Sequence, residues 1–284
     1  MKQIVDPPEA VDAQMVARYT NLGAFPLFHR FPLTEQTKRI VLAEMMSCSV
    51  AQASTFVDYL STEARASVAL LLEEAGVVEL LSLLPFKNGT RVLTVGDSIT
   101  ADRLGWAELM SLASDEMTRS AFTVVNMGVG GQTSADVISQ IDLYADLEPD
   151  WVVLMVGTND FRFHTDATRA TMLSRSETER NLLLIRQLID DELGARLVVV
   201  TPPPIARPGV TVGAGARSVG WSEGYDASLA EFIRSEFADH IDVHSVLGEA
   251  VADDLYEEDG VHPSAQGQRL ILRTMLQRLP LIDS

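Results

Sequence analysis

Four short stretches carry side chains that could act together on a carbonyl group. The first is Gly96-Asp97-Ser98, which closes the alternating run Arg91–Val95. A serine at the carboxyl end of a buried strand, on the turn into a helix, presents its hydroxyl beside the amides of the helix start. Open α/β sheets bind their ligands at such strand ends. The second stretch runs from Asn126 through Gly128, Val129, Gly130 and Gly131 to Gln132-Thr133-Ser134. Its glycines let backbone amides come close to a ligand. They are not spaced Gly-x-Gly-x-x-Gly and they follow the second strand, so a dinucleotide site is not expected. The third is Gly157-Thr158-Asn159-Asp160, in which Asn159 offers a neutral amide donor suited to a developing oxyanion. The fourth is Asp259-Gly260-Val261-His262-Pro263. A carboxylate three residues before an imidazole can reach its Nδ1 and leave Nε2 free as a base. Each stretch alone also reads as an ordinary turn. Jointly they supply a nucleophile, a base, an orienter and amide donors, the set that acyl transfer needs.

These residues need elements that gather them on one edge. From Thr90 onward the pattern alternates, with strands expected at Arg91–Val95, Phe122–Asn126, Trp151–Val156, Arg196–Thr201 and Ile241–His244. Helical patterns lie between and after them, at Ala101–Ser114, Ser134–Ala145, Ser176–Leu193, Ser222–Ala238 and Pro263–Leu279. Ser176 with Glu179 reads as a capping box, Gly194 as a helix stop and Pro263 as a first helical residue. Short apolar strands separated by helices predict a parallel sheet covered on both faces. Residues 1–88 contain no convincing strand and read as helical: Thr34 caps one segment, and two more run over Ser49–Leu60 and Thr62–Ala75, stopping at Gly76. This gives a helical segment at 1–88 and an α/β domain at 89–284. The long Pro- and Gly-rich loop Pro202–Gly220 is placed to shape a pocket. Pro203, Ile205 and Phe161 are expected to line it.

Composition narrows the function classes. The net charge of −18 removes the basic surface that nucleic acid or anionic membrane would need. The acidic residues within 1–88 slightly outnumber the basic ones, so a DNA-binding helix pair is not expected there. No apolar run reaches the ~18 residues of a membrane span, and the first residues lack the apolar core of a secretory signal. A single cysteine, Cys48, excludes an internal disulfide framework. Together these predict a cytoplasmic protein acting on a small molecule, with no nucleic acid or membrane partner. The apolar N-terminal segment offers a surface through which a homodimer could form. Of the other histidines, His244 stands near a predicted strand end, while His29, His164 and His240 read as structural or surface residues.

The four stretches resemble the blocks of the SGNH hydrolase superfamily, also called the GDSL esterase/lipase family, over about Thr90 to the C-terminus. The first ~90 residues have no counterpart in the minimal family fold and inherit nothing from it. The resemblance implies a three-layer α/β/α sandwich on a five-stranded parallel sheet of flavodoxin-like order 2-1-3-4-5, preceded here by the helical segment. It implies Ser98 as nucleophile, His262 as base and Asp259 as its orienter. The oxyanion hole would comprise the Ser98 and Gly131 backbone amides and the Asn159 side chain. Gly131 is the best match because it precedes Gln132-Thr133-Ser134, and Asp97 and Asp160 would hold loops in place.

On this reading the chain is a serine esterase that passes an acyl group from a small-molecule ester through Ser98 to water. It needs no metal and no organic cofactor. A fall in rate on acidification is expected, because His262 must be neutral to act as a base. An acyltransferase acting on a sugar or alcohol would use the same residues. A metallophosphoesterase built on Asp97, Asn159, Asp160 and His262 would want more clustered ligands than five histidines supply. A non-catalytic binding protein would have no use for the complete set.

Overall fold

The structure, a computed structural model, describes residues 11–116, 122–164, 168–206, 219–250 and 254–282. Residues 1–10 of the expected helical segment and 207–218 of the long loop lie outside the described residues. The described residues open with α1 (Val11–Tyr19), α2 (Pro26–Arg30), α3 (Glu35–Met45), α4 (Val50–Glu73) and α5 (Val77–Ser82). They continue through β1 (Arg91–Gly96), α6 (Ser98–Ala101), α7 (Trp106–Asp115), β2 (Thr123–Asn126), α8 (Ser134–Ser139), α9 (Ile141–Ala145) and β3 (Trp151–Met155). After the short β4 (Arg162–Phe163) come α10 (Arg175–Leu188), β5 (Arg196–Val200), β6 (Gly220–Trp221), α11 (Tyr225–Glu236), β7 (His240–Ile241), α12 (Val243–Glu249) and α13 (Ala265–Arg278).

Five of the strands form a parallel sheet of order β2-β1-β3-β5-β7. Counting only its members, that is the order 2-1-3-4-5. Chain direction across the sheet reverses between β1 and β3, and both strand ends open onto the same edge. Residues along each strand alternate between faces. Val92, Val153 and Val198 pack with Trp106 and Met110 of α7 and Leu272 and Met275 of α13. Leu93, Val152 and Val199 pack on the other face with Val137 of α8, Leu182 and Ile185 of α10 and Ile233 of α11. This makes three layers. The remaining strands, β4 and β6, pair antiparallel as a separate two-stranded ladder.

The N-terminal helices are bound to that sandwich through α4. At 24 residues α4 is about 36 Å long. Its first half buries Ala53, Phe56 and Leu60 with Ala13 and Ala17 of α1 and with Leu42, Ala43 and Met46. Its second half sends Ala64, Val68 and Leu71 into the cluster that holds α7 and α13. No single helix among the described residues is long and apolar enough to cross a membrane; α3 and α4 reach that composition only together, across a 104° bend.

Several expected boundaries shift, each for a local reason. The two segments Ser49–Leu60 and Thr62–Ala75 are one helix: Ser61 and Thr62 donate their hydroxyls back to the Val57 and Asp58 carbonyls at 3.0 and 2.9 Å, so neither caps a new one. The capping box of α10 is Ser174 with Glu177, not Ser176 with Glu179; Glu179 is engaged instead by Arg175 at 2.6 Å. Gly194 ends that segment in the left-handed region, at φ 58°. The expected strand Ile241–His244 is only two residues long, His240–Ile241, because Asp242 caps α12 by accepting from the Ser245 amide at 3.1 Å. Pro263 stands outside α13, bridged to Tyr256, and Ser264 is the cap. The helices expected at Ala101–Ser114 and Ser134–Ala145 are each broken in two, at Asp102–Gly105 and at Gln140.

Candidate active site

Ser98 is the first residue of α6, immediately beyond β1. Asp97 caps that helix, its Oδ1 accepting from the Ile99 amide at 2.9 Å. Gly96 has no room for a side chain: a Cβ there would lie 2.2 Å from the Met155 carbonyl and 2.3 Å from Thr100 Oγ1. The ends of β1 and β3 can therefore close on each other, which brings the turns carrying Ser98 and Asn159 together. Asp97 is fully buried, and burial pushes its carboxyl up to about 6 against the pull of the Ile99 amide.

His262 comes to Ser98 from the turn before α13. Ser98 Oγ lies 2.8 Å from His262 Nε2, and His262 Nδ1 lies 2.6 Å from Asp259 Oδ2. Asp259 Oδ1 also accepts from the Val261 and His262 amides at 2.8 and 2.9 Å. Burial alone would raise the Asp259 carboxyl, but the His262 ring and these two amides hold it below the ordinary carboxylate value. An ionised Asp259 fixes the Nδ1–H tautomer, and Nε2 then faces Ser98 as an acceptor.

Asn159, on the turn beyond β3, is held from both ends. Its Oδ1 accepts from Arg162 Nη1 at 3.0 Å, and its Nδ2 donates to the Gln132 carbonyl at 3.2 Å. An amide nitrogen carries two hydrogens, so one remains for a ligand. Gly131, at φ 81°, directly precedes Gln132, so the same bond ties the glycine loop to Asn159. Asp160 points away from the cleft: it accepts from the Ser134 amide at 3.0 Å, from the Ser134 hydroxyl, and from Thr178 Oγ1 at 3.0 Å. It thereby fastens the β3 exit to α8 and α10.

Ser98, Gly131, Asn159, Asp259 and His262 line one cavity of about 360 Å³. Its other walls are residues that no motif marks. Met15, Val16 and Tyr19 of α1 form one, and Arg162, Val219 and Trp221 form another. The Tyr19 ring stacks on His262, with centroids 4.4 Å apart and an interplanar angle of 29°. Next to it Arg18 donates from Nε and Nη2 to the fully buried Asp102 at 2.8 and 2.9 Å, and from Nη1 to Glu257 at 2.6 Å. Burial would depress the Arg18 guanidinium, but the Asp102 carboxylate holds it above its ordinary value. Arg18 thus joins the end of α6 to the turn that carries His262. Tyr19, Arg18 and Trp221 left no signal in the sequence, since their partners are far away in the chain. Arg162 left a weak one, a charged residue three places after Asn159.

The expected pocket lining is corrected. Phe161 is fully buried and stacked on Tyr225, and neither Pro203 nor Ile205 reaches the cavity. His244 lies in α12, where its amide donates to Thr201 Oγ1 at 2.8 Å and its Nε2 is 3.6 Å from Asp226. A larger groove of about 630 Å³, bordered by Arg186, Asp190, Arg196 and Asp239, carries none of the four motifs.

The sequence model of the GDSL-like Lipase/Acylhydrolase family matches residues 94–270, more than half of the chain. The chain belongs to this family. It is a hydrolytic enzyme of the SGNH type, in a family that acts on small-molecule esters. Among solved structures it is similar to a catalytic mutant of Axe2, an acetylxylan esterase from Geobacillus stearothermophilus, with TM-score 0.53 and 18% identity over 68% of this chain and 95% of that one. A lipase/acylhydrolase from Enterococcus faecalis matches with TM-score 0.53 and 19% identity, over 67% and 95% of the two chains. TesA matches with TM-score 0.50 and 23% identity, over 67% and 98%. At these identities the likeness is one of fold. No curated protein matches the sequence. The GDSL-like match begins inside β1, so α1 to α5 lie outside it.

Proposed function

We propose that this GDSL-like chain cleaves a carboxylic ester through an acyl-enzyme on Ser98. The observation that carries the reading is the unbroken hydrogen-bond path from Ser98 Oγ to His262 Nε2 and from His262 Nδ1 to Asp259, opening into a cavity beside Asn159. Ser98 Oγ attacks the ester carbon while His262 Nε2 takes its proton. The carbonyl oxygen becomes an oxyanion held by the Ser98 and Gly131 amides and the Asn159 amide, and each such donor is worth about 2.7–4 kcal/mol in the transition state. As the tetrahedral centre collapses, the bond to the alcohol oxygen breaks and His262 gives that oxygen its proton. Water then attacks the acyl-Ser98 carbon with His262 again as base, and the acid leaves as Ser98 regains its proton. Asp259, held ionised, stabilises the imidazolium in both steps.

The test is hydrolysis of p-nitrophenyl esters of increasing acyl length by the wild type and by Ser98→Ala. The expected result is turnover that falls by about 10³-fold or more in the variant, with an unchanged melting temperature. Turnover retained in a folded Ser98→Ala would overturn the assignment. Products analysed with competing alcohols report whether the acyl group goes to water, as proposed, or to an acceptor.

A further inference from the structure

We propose that Arg162 is an anion-recognition residue, so that the ester cleaved here carries an anionic oxygen group, such as a carboxylate or phosphate, close to its scissile bond. The inference rests on the hydrolase reading above and adds the chemical class of its substrate.

Arg162 stands in the cavity wall beside the oxyanion donors. If Gly131 carried a Cβ, it would lie 3.6 and 4.0 Å from the two terminal nitrogens of the Arg162 guanidinium. The only acceptor that meets this guanidinium among the described residues is Asn159 Oδ1, a neutral amide. Its Nε is buried without a hydrogen-bond partner. Arg18, next to the cavity residue Tyr19, shows the usual arrangement: two carboxylates compensate its charge. Among the described residues Arg162 has none in contact, and burial is the largest influence on it, pulling its pKa down.

Holding Asn159 does not account for this side chain. That task needs one donor, whereas a guanidinium brings five and a full charge into a half-buried place. The neighbouring strand adds to the surplus. Trp221 pairs with Arg162 across the β4–β6 ladder, lines the same cavity, and has its own buried indole N–H without a partner. This wall is rich in donors and poor in acceptors, which is the complement of an oxyanion group. A chain of net charge −18 repels anions at long range, so their recognition must be local, at a charge shielded from solvent.

The experiment compares matched esters that differ in one charge. For an anion on the acyl side, p-nitrophenyl hydrogen glutarate is set against p-nitrophenyl pentanoate. For one on the alcohol side, 4-acetoxybenzoate is set against its methyl ester. Each is measured with the wild type, Arg162→Gln and Arg162→Lys. We expect the wild type to favour the anionic member of one pair by about tenfold or more in kcat/KM. Arg162→Gln should lose that preference mainly through KM, and Arg162→Lys should keep part of it. Loss of kcat on both members alike in Arg162→Gln would mean that the residue only positions Asn159, and would overturn the inference. So would a wild type without preference in either pair, a result that does not depend on the variants folding. If neutral esters are still cleaved in a Ser98-dependent way, the hydrolase reading survives that outcome. If no ester of either kind is cleaved, both fall.

Discussion

The two parts of this molecule differ in how they reach the active site. The α/β part, which contains the family match at 94–270, contributes through motifs, each within a few residues of a strand end or of the last helix. The helices before it contribute through single side chains. Tyr19 stacks on His262, and Arg18 joins Asp102 to Glu257. The motif residues provide groups that can react, and their spacing follows from the chemistry. The helical residues hold one of those groups in place, and that task leaves the sequence around them free. A site can therefore be recognised from its reacting groups while half of its wall stays hidden.

The comparison can be tested from the largest effect downward. Ser98→Ala should remove about 10³-fold or more of the turnover, roughly 4 kcal/mol of transition-state stabilisation, and leave urea denaturation unchanged. Arg18→Ala should do the opposite. It leaves the buried Asp102 carboxylate without its cation, held by the Leu104 amide and Gln268 alone among the described residues, so we expect a loss of about 3–5 kcal/mol in urea denaturation. A stability change below ~1 kcal/mol would mean that the Arg18 ion pairs do not fasten α1 to the α/β part.

Asp97 offers a pH-dependent test within the α/β part. Its carboxyl is raised by burial to about 6, so the folded state binds the proton more tightly than the unfolded state does. The stability this contributes is present below the ordinary carboxylate pKa and is lost as pH rises through about 6. Asp97→Asn should therefore gain on the wild type between pH 4 and pH 7.5, by roughly 2–3 kcal/mol in denaturation midpoints converted to free energy. Asp259 has the contrary sign. Held below its ordinary value, it contributes stability above that value and loses it only as pH falls through its depressed one. A pH-independent difference between Asp97→Asn and the wild type would contradict the burial argument.

The smallest effect expected is at Tyr19. Removing an aromatic pair is worth about 0.5–1.5 kcal/mol, so Tyr19→Ala should lower kcat by about two- to tenfold, with Tyr19→Phe restoring it. Steady-state kinetics that move KM alone would make Tyr19 a wall of the cavity and not a support for His262.

Much of the fold was legible because the relevant signals are local. Strands β1, β2, β3 and β5 fall within one or two residues of their expected bounds, since short, nearly unbroken apolar runs such as Trp151–Met155 mark strands of a parallel sheet. Where a second local interaction competed, the expectation slipped. Ser61 and Thr62 resemble a helix boundary but bond within the helix, and Asp242 caps α12 just where a strand was expected to continue. The Ser98, His262 and Asp259 geometry was legible because the motifs sit at ends that the sheet order gathers. Arg18 to Asp102, Tyr19 to His262 and Arg162 to Trp221 were not. Those contacts arise only when separate elements pack, and no periodicity encodes them.

The central claim is that Ser98 is the nucleophile, activated through His262. The direct measurement is labelling of the wild type with a fluorophosphonate, read by intact mass and peptide mapping. One adduct per chain is predicted, on the peptide containing Ser98, and it should be lost in His262→Ala. An adduct on another residue, or a folded wild type that takes no label while cleaving esters, would contradict the account.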